Sequence, residues 1–408
     1  DENGAYIISS PEELMWFNKN GKTSDSVKLT ADICINEYVT IEDTSKLHKW
    51  TPIGWYKSYD NYDKYKGTFD GNGHTISGLY ILAKSTSADN RANYTGLIGY
   101  ADKGSVICNL TISDSLIENR STAANRGKNV GAVAGDAYNV ENCHVTSSVT
   151  VYGISDYVGG VAGYVDGSIT RSSSAATVTG KGTRIGGVVG CVQSNSSTAM
   201  TECFNTGKVE GANLVGGLVG DLYNGGTITD CYNTGSVTAT ASSGTAGGLL
   251  GNFRYGSLKN SYSSTVPSAA KAGSILGKLD GSQQTTFEKV YGLEGSDIVG
   301  SSSTAVAGTA AKTEAELKAL TSADLSDKFT ADSENINRGY PILAWQNSGS
   351  GEPVDPDHPA IDPKGWDGKA SATEPTNVGG VYQIASAADL KWFADNAAAT
   401  PTIRGVLT

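Results

Sequence analysis

Between residues 95 and 277 one apolar block closed by glycine recurs: "TGLIG", "GAVAG", "GGVAG", "GGVVG", "GGLVG", "GGLLG" and "GSILG". The closing glycines are Gly99, Gly135, Gly163, Gly190, Gly220, Gly251 and Gly277, between 26 and 36 residues apart. A period near 30 marks a solenoid or an array of blades. A second column follows each block and reads apolar-x-polar-small: "ICNL", "VENC", "ITRS", "MTEC", "ITDC", "LKNS" and "FEKV". A lone valine then follows, as at Val149, Val178, Val209 and Val237. Each repeat thus predicts about three short strands separated by turns, with no helical period.

Three short strands cannot bury their own apolar face, so each unit must stack on its neighbours. The pattern predicts an all-β chain folded as a right-handed parallel β-helix, parallel crossovers being right-handed almost without exception. A β-propeller is the competing architecture, but its blades run to roughly 40 residues and four strands. The frequent glycines (51 of 408 residues) suit corners and close approach of one coil to the next.

The ends differ from the middle and predict short helical caps. "SSPEELMWFNKN" has Ser10 as N-cap, Pro11 at the first helical position and Glu13 closing a capping box. "TEAELKALTSADL" repeats that grammar with Thr313 and Glu316, and leads into "NRGYPILAWQ" (337–346), expected as a closing strand. Residues 347–378 hold five of the ten prolines and read as an extended linker. Residues 379–408 then copy the start: Tyr382, Ile384, Ser386, Leu390, Trp392 and Phe393 fall 376 positions after Tyr6, Ile8, Ser10, Leu14, Trp16 and Phe17. The chain is therefore read as one module (1–346), a linker (347–378) and the start of a second module (379–408), with the parent protein expected to continue.

These residues in this order resemble the bacterial surface proteins that carry GLUG repeats. The resemblance runs from residue 5 to 346 through "ISSPEEL", "LTADICI", "WTPIG", "GTFDGNGHTISGLYI", the glycine blocks, "CYNTGSV" and "GYPILAW". It implies a secreted or wall-attached adhesin-like protein built of tandem β-helix modules. The repeat also occurs in relatives of IgA-specific metalloendopeptidases. Their HExxH zinc motif is absent, since His48, His74, His144 and His358 are followed by Lys, Thr, Val and Pro. Protease activity is not carried over.

Charge and chemistry narrow the picture further. A formal net charge of −11 spread along the chain disfavours nucleic acid. No apolar run approaches the roughly 20 residues that span a bilayer, so no membrane insertion is expected. The six cysteines show no CxxC, which argues against structural zinc, and no cofactor is expected. Cys143, Cys203 and Cys231 share the small position of the second column. Coils about 4.8 Å apart would stack Cys203 on Cys231, within reach of a disulfide, though buried free thiols are the simpler expectation. Cys34, Cys108 and Cys191 have no evident partner.

The position after each closing glycine reads Tyr100, Asp136, Tyr164, Cys191, Asp221, Asn252 and Lys278. Asp136 and Asp221 would lie roughly 14 Å apart, too far for a glycosidase pair, which needs roughly 5–9.5 Å. "FDGNGH" (69–74) lacks the EF-hand offsets and predicts a tight turn, with His74 in a structural hydrogen bond. The unexplained stretch is "GWYKSYDNYDKYKG" (54–67), carrying Trp55, Tyr56, Tyr59, Tyr62 and Tyr65. Such aromatics dominate binding hot spots and also stack on sugars. Alternatively they cover the open first coil, lining one side of a short 3₁₀ turn.

The sequence therefore points to a monomeric, non-catalytic binding module, and the resemblance implies that it is extracellular, at a bacterial cell surface. Its expected partner is a host glycoprotein (mucin, or immunoglobulin as the family resemblance alone suggests) or a glycan, with the five aromatics as candidate contacts. A passive spacer and a glycan-active enzyme are the alternatives.

Overall fold

In the computed structural model, residues 4–348 are described except 38, 40–43, 59–60, 85–93, 123–128, 155, 194–198, 281–284 and 303–305; beyond them only the strands Thr376–Val378, Val381–Ile384 and Arg404–Leu407 are. The first compact unit, Asp1–Pro356, is an all-β parallel solenoid of about six turns.

Three inward columns build its core. Ile98, Ala134, Ala162, Val189, Val219, Leu250 and Leu276 stack in parallel register along one face. Ile107, Val140, Ile169, Met200, Ile228, Leu258 and Phe287 stack along the second. Ile81, Ile117, Val151, Val178, Val209 and Val237 form the third. The sequence pattern placed Val149 in this last column. The register puts Val151 there, and the Val149 carbonyl instead accepts the N–H of Thr177 in the next turn.

The glycines and the second column are explained by what happens at the corners. A Cβ at Gly216 would lie 2.0 Å from the Val219 carbonyl oxygen, so the block turns too tightly for any side chain. In the second column the polar residue is left-handed at every turn: Asn109, Asn142, Arg171, Glu202, Asp230, Asn260 and Lys289 have φ between 46° and 56°. That twist takes the next N–H out of the backbone ladder, and the small residue one turn on accepts it. Cys143 N–H donates to Ser172 Oγ, Ser172 N–H to Cys203 Sγ, Cys203 N–H to Cys231 Sγ and Cys231 N–H to Ser261 Oγ. The same side chains donate back, Cys203 Sγ to the Thr201 carbonyl and Ser261 Oγ to the Lys259 carbonyl. All six cysteines are free thiols.

At the start, helix α1 (Pro11–Asn20) buries Leu14 and Phe17 against the first turn. Ser10 caps it, accepting from Glu13 N–H at 3.2 Å, but the Glu13 carboxylate reaches Ser9, not Ser10, at 2.6 Å from its N–H. Helix α2 (Glu314–Lys318) has the full Thr313–Glu316 capping box. "FDGNGH" is the expected turn: Asp70 accepts from Asn72 N–H, Asn72 and Gly73 are left-handed, and His74 Nδ1 lies 3.2 Å from Asp32 Oδ1.

The C-terminal segment does not close the last turn as expected. It runs back along the flank. Phe204, Tyr232 and Tyr262 form an outward stacked ladder, with ring centroids 4.8 and 5.3 Å apart. Leu317, Leu325, Phe329, Tyr340 and Leu343 bury it. Phe329–Thr330 pairs antiparallel with Ile342–Leu343, and a 3₁₀ turn at Ala344–Ser348 sets Trp345 over Phe204 and His144. An outward aromatic ladder must be covered, and this segment carries the apolar residues that cover it.

In the second unit, Asp357–Thr408, Val381–Ile384 pairs in parallel with Arg404–Leu407, as Tyr6–Ile8 pairs with Val27–Leu29 in the first. Ser386, Leu390, Trp392 and Phe393 lie outside the described residues, as does the linker up to residue 375.

Candidate functional site

The aromatic stretch is a β-hairpin inserted into a strand of the first turn. Ile53 pairs in parallel with Ile98, and Tyr65 with Ala101, so the coil resumes at Tyr65 where Gly54 left it. Between them Trp55–Ser58 pairs antiparallel with Asn61–Asp63, Trp55 opposite Asp63 and Tyr56 opposite Tyr62. This replaces the short 3₁₀ turn considered from the sequence, because a backbone that pairs with itself leaves and rejoins the same strand without disturbing it.

The five aromatics separate. Tyr62 is 50% exposed. Trp55 is partly buried, Tyr56 is a paired strand residue, and Tyr59 lies outside the described residues. Tyr65 is fully buried in the core, its hydroxyl among the buried polar atoms with no hydrogen-bond partner, and burial raises its phenol well above the usual range. Tyr65 is therefore a packing residue and leaves the candidate contact set.

Beside the hairpin runs a cleft of about 470 Å³. Two rows of side chains line it, one set by the residue after each closing glycine and one by the residues just before each block. The first row is in register: Tyr100 opposite Asp136, Asp136 opposite Tyr164, Tyr164 opposite Cys191, and Cys191 opposite Asp221. In the second row Tyr94 lies opposite Asn129, and Tyr157 follows one turn on, next to Val158, which pairs with Val130. Partners meet across the rows. Tyr94 stacks on Tyr100 at 4.6 Å, Asn129 Nδ2 donates to Asp136 Oδ2 at 3.3 Å, and Tyr157 meets Tyr164 edge-on at 5.7 Å. Tyr164 donates its hydroxyl to Gln193 Oε1.

Lys64, at the base of the hairpin, ties it to this cleft. Its ammonium sits 4.4 Å from the centre of the Tyr100 ring, 5.1 Å from that of Tyr62 and 3.3 Å from Asp102 Oδ1. Partial burial pulls its pKa down, but Tyr100 and Asp102 outweigh that and hold it above the usual value. Burial raises the Asp136 carboxyl well above the usual range and the nearby Asp166 charge adds to this, against Lys64 and the Asn129 hydrogen bond. Burial raises Asp166 too, against Lys64 and Lys103. Asp166 is the acid that column reading missed: it follows Val165, which pairs with Ala137 and Val192, so it shares a column with Tyr138 and Gln193 and not with the residues after the closing glycines.

Beyond the cleft the rows become ionic. Asp221, fully buried, accepts from Arg184 Nε at 2.9 Å and from Arg254 Nη2 at 3.3 Å, and Asn252 Nδ2 donates to it at 2.9 Å. Asp136 and Asp221 are three turns apart, as the repeat required. Among the described residues no cluster of three or more His, Cys, Asp or Glu is arranged to hold a metal, and no helix is long and apolar enough to cross a membrane.

The part of the chain that matches a known family contains the glycine block "GGLVG" at 216–220. Residues 211–238 carry the GLUG motif. Over 170 residues, 39% of this chain, the sequence is 31% identical to halomucin of Haloquadratum walsbyi. The chain spans only about 2% of halomucin's length. A solved structure of a candidate immunoglobulin A1 protease from Bacteroides ovatus superposes with a TM-score of 0.55, covering 85% of this chain and 94% of that one at 19% identity. That likeness shows a shared fold.

Proposed function

We propose that this chain is a non-catalytic, extracellular binding module of a cell-surface protein, and that the hairpin at 55–63 with its adjoining cleft holds a host glycoprotein or glycan. The observation that carries this reading is Lys64, which joins an inserted, partly exposed aromatic hairpin to a tyrosine-lined cleft on an otherwise regular scaffold. Aromatic side chains on a rigid support lose little entropy on binding and supply most of the contact energy in such sites. The GLUG motif, the kinship with halomucin and the acidic surface support an extracellular place. Immunoglobulin enters as a partner class through the name of the solved relative.

A glycan-active enzyme is the second reading, favoured by the electrostatic contact between Asp136 and Asp166 in the cleft. The test is capture of secretory immunoglobulin, mucin and a glycan array by the chain, beside a variant whose residues 56–62 are replaced by Asn-Gly. Loss of capture at an unchanged melting temperature supports the binding reading. Capture of nothing by the unaltered chain marks a spacer, and release of reducing ends from a captured glycan marks an enzyme.

A further inference from the structure

The cleft has an order that the hairpin alone does not explain. Along it lie an aromatic pair (Tyr94–Tyr100), a polar pair (Asn129–Asp136) and a second aromatic pair (Tyr157–Tyr164) in three successive turns. Turns about 4.8 Å apart put the aromatic pairs roughly 10 Å from each other with the polar pair between them. Asn129 is 4% exposed, and its Oδ1 has no hydrogen-bond partner among the described residues. A buried acceptor with no donor is destabilising unless something supplies a hydrogen. It lines the cleft, so a ligand can.

We propose that the Asn129–Asp136 pair, set between the Tyr94–Tyr100 and Tyr157–Tyr164 pairs, is a binding site for a neutral oligosaccharide. This rests on the binding-module reading and gives it a ligand class.

The chemistry selects that class in three steps. The inner polar atoms, Asn129 Oδ1 and the Asp136 carboxyl, call for a ligand rich in hydrogen donors, which means hydroxyls or amines. Lys64 and Lys103 line the same cleft and oppose a cationic amine. Burial that favours the neutral form of Asp136 removes the charge that would hold one. With Asp136 neutral, Asp102 and Asp166 balance Lys64 and Lys103: Lys64 pairs with Asp102 and Lys103 faces the Asp166 charge, so the cleft holds no net positive charge to anchor a sialylated or sulfated chain. Hydroxyls on a ring with apolar faces remain, and tyrosine walls fit those faces. The volume falls in the range of small-ligand sites, roughly 300–1,000 Å³.

The experiment titrates the full chain with neutral gluco-, manno- and galacto-oligosaccharides, their sialylated and sulfated counterparts, and spermine, by calorimetry. One neutral series is expected to bind, with at least a tenfold loss in Asn129→Ala and in Asp136→Asn. Asp166→Asn, at a partly exposed position, is the companion variant should either of these fail to fold, and a severalfold loss is expected there. Binding of only spermine or only anionic glycans overturns the proposal. If the chain captures a glycoprotein equally well after enzymatic deglycosylation and binds no free glycan, the module reading stands and the cleft site falls. If it captures neither protein nor glycan, both fall.

Discussion

The backbone N–H of Cys203 donates to the thiol of Cys231, 3.5 Å away and one turn along the solenoid, while that thiol donates to the Thr229 carbonyl at 3.1 Å. A side chain here must accept and donate at once, inside the core. This explains why only serine and cysteine fill the five middle turns of the column, Cys143, Ser172, Cys203, Cys231 and Ser261. Cys231→Ser keeps both roles and is expected to change stability by less than about 1 kcal/mol. Cys231→Ala leaves a buried N–H without an acceptor and is expected to cost about 2–3 kcal/mol. Urea unfolding of both variants decides it, and thiol titration in denaturant should count six free thiols.

Gly216 illustrates the other constraint on the repeat. A methyl group there would meet the Val219 carbonyl oxygen at 2.0 Å and Gly251 N at 2.6 Å, both backbone atoms that no rotamer change can move. Gly216→Ala is expected to cost more than about 4 kcal/mol or to prevent folding. Gly73, left-handed in the "FDGNGH" turn with nothing near its missing side chain, is the control. Gly73→Ala should cost only the strain of that backbone, about 1–2 kcal/mol.

The repeat was legible because each column answers to one local rule. Apolar residues point inward at a period of two, glycine marks where turns pass closely, and the small residue accepts a stranded N–H. The path of the C-terminal segment was not legible. Phe204, Tyr232 and Tyr262 read as one more apolar position in "CFNTG", "CYNTG" and "SYSS", and nothing in a single repeat tells an inward ring from an outward ladder. The cleft escaped for a related reason. Asn129 and Tyr157 stand outside the repeated blocks, and Asp166 falls in a column whose other members, Tyr138, Gln193, Tyr223 and Arg254, share no chemistry with it. Tyr65 looked like the fourth member of a tyrosine series, yet it is where the strand resumes, and spacing alone could not show that.

Tyr65 itself offers a direct check. Its hydroxyl is fully buried and unpaired, and a Cβ on Gly67 would sit only 3.0 Å from it. Removing an unsatisfied polar atom relieves its desolvation cost, so Tyr65→Phe is expected to stabilise the chain by about 1 kcal/mol and leave ligand capture unchanged. A loss of capture with unchanged stability would return Tyr65 to the binding surface.

His144 couples the flank to pH. Its ring is 4% exposed, lies under Trp345 at 5.4 Å, and bonds Ser173 Oγ and Asn142 Oδ1. Burial lowers its pKa from 6.5 to about 4. The unfolded chain therefore takes up a proton at this site that the folded chain refuses. The stability from keeping this ring neutral is fully present above about pH 6.5 and falls as pH drops toward 4, by about 3 kcal/mol in all. The difference in unfolding free energy between the unaltered chain and His144→Gln, measured from pH 7.5 to 4, should follow that curve. A pH-independent difference would place the ring in water.

The C-terminal segment makes the largest single prediction. Tyr232 and Tyr262 are fully buried although they point away from the solenoid core, because residues 313–348 lie on them. Tyr262 donates its hydroxyl to the Pro341 carbonyl and accepts from Asn337 Nδ2 at 3.0 Å, while Gln346 Nε2 donates to the Tyr232 hydroxyl at 3.0 Å. A chain ending at Lys312 keeps every inward column, so its far-ultraviolet circular dichroism should still report β structure. It would expose three stacked rings and lose their hydrogen-bond partners, so strong binding of a hydrophobic dye and a melting temperature lower by several degrees are expected. Phe329→Ala in the full chain tests the same contact more gently, with an expected cost of about 3 kcal/mol, since its ring packs on Tyr232 and Tyr262 at 6.5 and 6.1 Å. If the shortened chain unfolds outright, the segment is a part of the core that the repeat alone does not complete. If it melts as before and binds no dye, the ladder is covered by something other than this segment.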